Sequence, residues 1–128
     1  MTDELMPKLL VSDADAAIDF CTEALGAVLT TRVAGDDGVV HHAELTVGST
    51  TLALAQSVPD WGWHDPASLG GSPVLLTVHV SDPDATADRM VRLGGELVIP
   101  VENRPYGKRQ GRVRDPFGHL WVISGALR

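Results

Sequence analysis

The chain has 128 residues, 44% hydrophobic and 21% charged, with a formal net charge of −7. That length supports one domain with a real core and is too short for two independent ones. The acidic balance argues against a nucleic-acid partner, because phosphates would be repelled over most of the surface. No apolar run approaches the roughly 20 residues needed to span a bilayer, so no membrane partner is expected. The opening MTDELMPKLL lacks the basic flank and long apolar stretch of a signal peptide, and the single cysteine, Cys21, excludes an internal disulfide framework. These features together point to a cytoplasmic protein, with Cys21 a small core residue in an apolar helical pattern.

In chain order, a short apolar strand at Lys8–Val11 runs into a helix capped by Asp13, whose carboxylate can accept from free backbone N–H groups. Ala17, Phe20, Cys21, Ala24 and Leu25 recur at helical spacing, and Gly26 offers the left-handed conformation that ends a helix. Strands follow at Val28–Val33, Val39–Val47 and Thr51–Gln56, separated by turns at residues 35–38 and 48–50. A linker rich in Pro, Gly and Ser spans residues 57–73. The order then repeats. A strand at Val74–Val80 leads to a helix capped by Asp82 with Pro83 in its first turn, where a missing N–H costs nothing. Ala87, Met90, Val91 and Leu93 form its apolar pattern, Gly94 ends it, and strands follow at Leu97–Val101, Arg109–Arg114 and Leu120–Ser124. Residues 115–118, Asp-Pro-Phe-Gly, read as a type I turn in which the aspartate bonds its own backbone.

The two halves are copies. Residues 11–19 read VSDADAAID and residues 80–88 read VSDPDATAD, identical at six of nine positions with an offset of 69. A one-residue shift then aligns Leu25-Gly26 with Leu93-Gly94. The fold class is therefore α+β, with two βαβββ modules at about residues 5–56 and 74–125.

Paired βαβββ modules, an AAIDFCTEALGA helix, HAEL at residues 42–45 and GRVRDPFGHLWVI at residues 111–123 resemble the glyoxalase/bleomycin-resistance/extradiol-dioxygenase group. This is the vicinal oxygen chelate superfamily, and the flavour is that of its PhnB-like and bleomycin-resistance-like branch. The resemblance covers nearly the whole chain. It implies that each module curls into a half-open sheet, and that the paired modules form a cleft often completed by a second subunit. It also implies that metal enzymes of the group place His, Glu or Gln ligands on the inward side of the first and last strands. Those positions fall here near Met6, at or beside Ala53, at Leu75 or Leu76, and at Val122. None is a donor for the usual divalent ions, so neither a metal nor another cofactor is expected.

Strand alternation places Val39, His41, Ala43, Leu45 and Val47 on one face, to pack against the helices, and Val40, His42, Glu44 and Thr46 on the other. His42 and Glu44 are then a candidate polar pair for ligand binding or proton exchange. Trp61 and Trp63, beside His64 and Asp65 in the linker, form either an aromatic clamp for a planar or cationic ligand or an anchor for the linker. Tyr106, Arg109 and Arg112 can meet a ligand carboxylate or make surface salt bridges. His119 reads as structural. No phosphate-cradling glycine loop and no nucleophile elbow is present.

The ligand-binding set is therefore His42, Glu44, Trp61, Trp63, Tyr106 and Arg112. The function expected is metal-free capture of a small molecule, a drug or secondary metabolite, of the bleomycin-resistance (antibiotic-resistance) type. The acidic surface favours a cationic ligand. The alternative is a glyoxalase-like lyase or isomerase using His42 and Glu44 as acid and base, or metal ligands placed elsewhere. Open sheet edges favour a homodimer.

Overall fold

The computed structural model describes residues 2–128, which form two compact units, the first ending at Ser68 and the second running from Leu69 to Arg128. The first contains β1 (Lys8–Val11), α1 (Ala14–Leu25), β2 (Val28–Ala34), β3 (Val40–Val47), β4 (Thr50–Gln56), a single 3-10 turn (Pro59–Trp61) and the start of the four-residue α2 (Pro66–Leu69). The second contains β5 (Leu75–His79), α3 (Pro83–Arg92), β6 (Glu96–Asn103), β7 (Arg109–Arg114) and β8 (Leu120–Gly125). Each unit is one mixed four-stranded sheet, ordered β1-β4-β3-β2 in the first and β5-β8-β7-β6 in the second. In each, the strand before the helix lies parallel to the last strand and the others are antiparallel.

Local chemistry sets the helix limits. Asp13 and Asp82 each accept a hydrogen bond from the backbone N–H three residues on, at 3.1 Å, and Gly26 closes α1 at φ 66°. Gln56 locks the first strand–helix junction: its Oε1 accepts from the Ala14 N–H at 3.0 Å and its Nε2 donates to the Ser12 carbonyl. The repeat places Gly125 at the corresponding point of the second unit, where the junction closes by contact. A Cβ there would stand 2.7 Å from the Val80 carbonyl oxygen.

The helices cover one face of each sheet. Ala14, Ala17, Ile18, Phe20, Cys21 and Ala24 of α1 are buried, with Leu9, Val11, Ala43, Leu45 and Leu54 in the sheet of the same unit. In the second unit Ala87 and Met90 of α3 are buried, with Val78, Val113, Trp121 and Ile123 in its sheet. Each fully buried Leu, Ile or Met contributes about 1.5–3 kcal/mol, so these two layers supply most of the cohesion of each unit. Val91 departs from the expected apolar pattern and is exposed. The buried stripe of α3 runs through Pro83, Thr86, Ala87 and Met90, and Val91 lies one residue, about 100°, past it.

Two kinds of bulge shape the sheets. In β2 the register slips across Leu29 and Thr31, leaving Thr30 as the extra residue, and in β6 it slips across Leu97 and Ile99, leaving Val98. These are corresponding points of the repeat. A second bulge, at His41 of β3, shifts the alternation by one. Val40, expected on the polar face, is consequently buried, while His42 and Glu44 stay on the face without the helix. β6 slips again between Ile99 and Glu102, around Pro100, which an edge strand tolerates.

Asp84 in the first turn of α3 ties the helix to the sheet. Its carboxylate accepts from Arg109 Nε at 2.7 Å and Nη2 at 2.8 Å, and Arg128 Nη1 lies 3.2 Å away. The Arg109 hydrogen bonds hold the Asp84 carboxyl down from 3.8 to about 2, against a smaller opposing effect of burial. A depressed folded-state pKa stabilises the fold above the unfolded value and ceases to do so as pH falls through the folded one. The stability advantage of the native protein over Asp84→Asn is thus expected to be full above pH 3.8 and to vanish as pH falls to about 2. Urea unfolding of both proteins across that window checks it.

Candidate functional site

On the helix-free face of the first sheet, Glu44 pairs across to Ala53, and Ala53 to Lys8. His42 and Glu44 are two residues apart on one strand, so their side chains stand on the same side. His42 Nε2 lies 2.9 Å from Glu44 Oε2, with side-chain exposures of 29% and 31%. This is a water-accessible imidazole–carboxylate pair, an arrangement able to hold or relay a proton. Glu44 also borders a shallow depression of about 310 Å³ with Met6, Ser49, Thr50 and Thr51.

The tryptophans form a separate cluster in the same unit. A bridge between Val58 and Trp63 folds residues 58–63 into a tight loop, closed by Gly62 in the left-handed conformation. Trp61 stacks obliquely on His41 with ring centroids 5.4 Å apart, and Trp63 meets Trp61 edge-on at 5.2 Å. The Lys8 ammonium sits 4.9 Å from the Trp63 ring centroid, a cation–π contact made by the chain itself. Trp61 nonetheless keeps 57% of its surface exposed. His41, placed by alternation against the helices, is instead the bulge residue and lies under Trp61. Asp65 caps the short α2 by accepting from the Ser68 N–H at 3.2 Å.

In the second unit, Tyr106 and Arg112 line one depression of about 230 Å³, together with Ile99, Arg104, Gln110, Gly111 and Val122. Alternation on β7 puts Gln110 and Arg112 on the helix-free face, opposite Ser124 and Val122 of β8. Tyr106 Oη donates to Gln110 Oε1 at 2.7 Å, and Gln110 Nε2 donates to the buried Ser124 Oγ at 2.9 Å. Arg104 Nε donates to the Gln110 carbonyl at 3.1 Å, and Arg104 Nη1 faces Glu102 at 3.4 Å. Arg112 Nε is buried and has no hydrogen-bond partner among the described residues. Arg109, grouped with Arg112 by sequence, is bound to Asp84 instead. Sequence reasoning did not single out Arg104, Gln110, Ile99 and Val122 as one wall. The i, i+2 relation of Gln110 to Arg112 was the available signal.

The positions where the superfamily's metal enzymes hold their ion do not fit one here. Ala53 and Val122 lie opposite Glu44 and Arg112, Leu75 and Leu76 lie opposite Leu120 and Trp121, and Met6 precedes β1. Their side chains offer one thioether and otherwise only hydrocarbon. Among the described residues no three His, Cys, Asp or Glu side chains converge on a common point.

Residues 3–123 match the Glyoxalase/Bleomycin resistance protein/Dioxygenase superfamily, and the chain belongs to it. It is 41% identical over 127 residues to the protein Mb0911c of Mycobacterium bovis, covering 97% of this chain and 84% of that one. Among solved structures it resembles TioX from Micromonospora sp. ML1, with 27% identity, a TM-score of 0.72 and coverage of 98% and 100% of the two chains. It also shares the fold of the Arabidopsis thaliana gene product AT5G48480, with 24% identity, a TM-score of 0.78 and coverage of 97% and 99%. Among the described residues no helix is long and apolar enough to cross a membrane.

Proposed function

We propose that the protein binds a small organic molecule stoichiometrically, without a metal, as a sequestering protein of the antibiotic-resistance type. The observation that carries this reading is the depression over β6, β7 and β8. There Tyr106, Ile99 and Val122 offer apolar surface while Arg104, Gln110 and Arg112 offer directed polar groups, the mixture that small-molecule sites use. At about 230 Å³ it falls below the roughly 300–1,000 Å³ of sites that enclose a whole drug-sized ligand. It is suited to gripping one part of a larger molecule. The chemistry of the four superfamily metal positions, hydrocarbon and thioether, supports a metal-free role.

A second reading, a glyoxalase-like lyase or isomerase, is favoured by one observation: the 2.9 Å His42–Glu44 pair, a geometry suited to acid–base work. Pairing of two chains is part of the proposal. The edge strands β2 and β6 expose Val28, Leu29, Val33, Leu97 and Val98, and covering such edges is a common use of a dimer.

Thermal-shift screening of aromatic and alicyclic acids, amides and amines tests the binding reading. Elemental analysis of protein incubated with Ni, Zn, Mn and Fe accompanies it. Saturable stabilisation by one chemical class, with no stoichiometric metal, is the expected result. Stoichiometric metal that is lost in His42→Ala or Glu44→Ala would replace sequestration by the enzyme reading.

A further inference from the structure

We infer that the depression of the second unit is a carboxylate subsite, in which Arg112 holds the carboxylate of a flat, largely apolar ligand. The inference rests on the binding reading above and names the chemical class bound.

Its basis is the contrast between Arg112, whose buried Nε has no acceptor among the described residues, and the arginines that are ion-paired. Arg32 is paired with Asp15, Arg104 with Glu102, Arg109 and Arg128 with Asp84, and Arg114 with Glu96. Arg112 stands among these on the same strand as Arg109 and Arg114, lines the depression, and has a buried Nε without an acceptor. A buried guanidinium N–H without an acceptor is costly, so native structures nearly always supply one from protein, water or ligand. Within this unit the neighbours of Arg112 across the sheet are Ile99 and Val122, neither of which has a side-chain acceptor. The polar groups of this wall make other bonds: Tyr106 Oη donates to Gln110, Ser124 Oγ accepts from Gln110 and Glu102 accepts from Arg104, and none of them is a hydrogen-bond partner of Arg112 Nε.

The repeat sharpens the contrast. Register places Glu44, between Thr31 and Ala53, at the point of the first sheet that Arg112 occupies, between Ile99 and Val122, in the second. Glu44 has its partner in His42. Gln110 stands where His42 does and is turned to Tyr106 and Ser124, leaving Arg112 Nε without the side-chain partner that Glu44 has.

The chemistry of the acceptor follows from the donor. A guanidinium offers its N–H groups as a rigid planar fork that matches the two oxygens of a carboxylate in a flat, two-bond arrangement. Ile99, Val122 and the Tyr106 ring flank it with apolar surface, which suits a planar ring beyond the carboxylate. The net charge of −7 does not forbid this, because screening limits distant charges to about 8 Å at physiological salt, while Arg104 and Arg112 border the depression itself.

The test uses benzoate and 2-naphthoate, with benzamide and benzylammonium as matched neutral and cationic probes. Each is titrated into the full chain and followed by the amide resonances of Gly111 and Val122. The expected result is saturable movement of those resonances with the two carboxylates only. It should weaken about tenfold or more in Arg112→Met and to a smaller extent in Arg112→Lys, which keeps the charge but not the flat geometry. Because Arg112→Met could disturb the sheet, its circular dichroism is compared with the native spectrum, and Arg112→Lys decides the matter if the first variant does not fold. Carboxylate affinity unchanged in the folded variant overturns the inference. So does equal binding of benzamide or benzylammonium at the same resonances, in which case the protein remains a small-molecule binder of another class. Absence of any response to the four probes also overturns it. If the wider screen is silent as well, the binding reading falls with it.

Discussion

Replacing Asp115 by alanine is expected to destabilise the protein by about 3 kcal/mol, the largest effect of any single polar side chain in the second unit. The carboxylate is buried and does three things at once. Its Oδ1 accepts from the backbone N–H groups of Phe117 and His119, both at 2.9 Å, and its Oδ2 accepts from the Trp121 indole Nε1 at 2.9 Å. The first two bonds build the turn between β7 and β8. The third fixes Trp121 under α3, and with it the alternation that turns Val122 toward the depression. Alanine would leave three donors in a buried place, each costing about 1–3 kcal/mol unless water reaches it. Asn is expected to do less harm, since its carbonyl can keep the two backbone bonds while its amide faces another N–H at Trp121. Urea unfolding of the native protein, Asp115→Ala and Asp115→Asn gives the order, and an alanine variant as stable as the asparagine one would contradict it.

Gly111→Ala is expected to cost about 2 kcal/mol and to deform the depression at the same time. The glycine is needed for space rather than for an unusual backbone angle. A Cβ at this position would stand 2.6 Å from Val101 Cγ2, 2.9 Å from the Val101 nitrogen and 3.0 Å from the Ile99 carbonyl oxygen. Two of these are backbone atoms, so no rotamer change relieves the contact and β6 itself must move. Corresponding register in the first unit holds Ala43, fully buried, so the sheet as such accepts a methyl group there. The second unit differs in the second slip of β6, between Ile99 and Glu102, which falls beside Gly111. Because Ile99 is one wall of the depression, thermal unfolding should report the lost stability. The resonances of Ile99 and Val122 should report the altered wall. Unchanged stability together with an unchanged spectrum at those residues would contradict the reading.

Much of the architecture was legible in the residues alone, because the signals were local. Asp13 and Asp82 before apolar helical patterns, Gly26 and Gly94 after them, and the Asp-Pro-Phe-Gly turn all act within four residues of themselves. The strand before each helix and the three after it were found with ends shifted by at most two residues. The joint placement of His42 and Glu44 was also legible, since two residues apart on any strand means one face. The repeat added a global statement to these local ones: whatever the first module builds, the second builds again.

What escaped the sequence were features decided by a second segment of chain. Val40 looks like a member of the polar face until β2 is laid beside β3 and His41 becomes an extra residue. Trp61 and Trp63 look alike as linker residues. Their partners, His41 and Lys8, come from strands far away in sequence. Arg109 and Arg112 are three residues apart and chemically the same. Only the fold brings Asp84, 25 residues earlier, to the first and leaves the second facing Ile99 and Val122. The sequence by itself determined the α+β class, the twofold βαβββ plan and the absence of metal donors at the superfamily's positions, because each depends on residue type and short-range order. The tertiary structure alone decided which charges are satisfied and which side chains share a wall, because a hydrogen bond reaches about 3 Å and its partners are chosen by how distant strands pair.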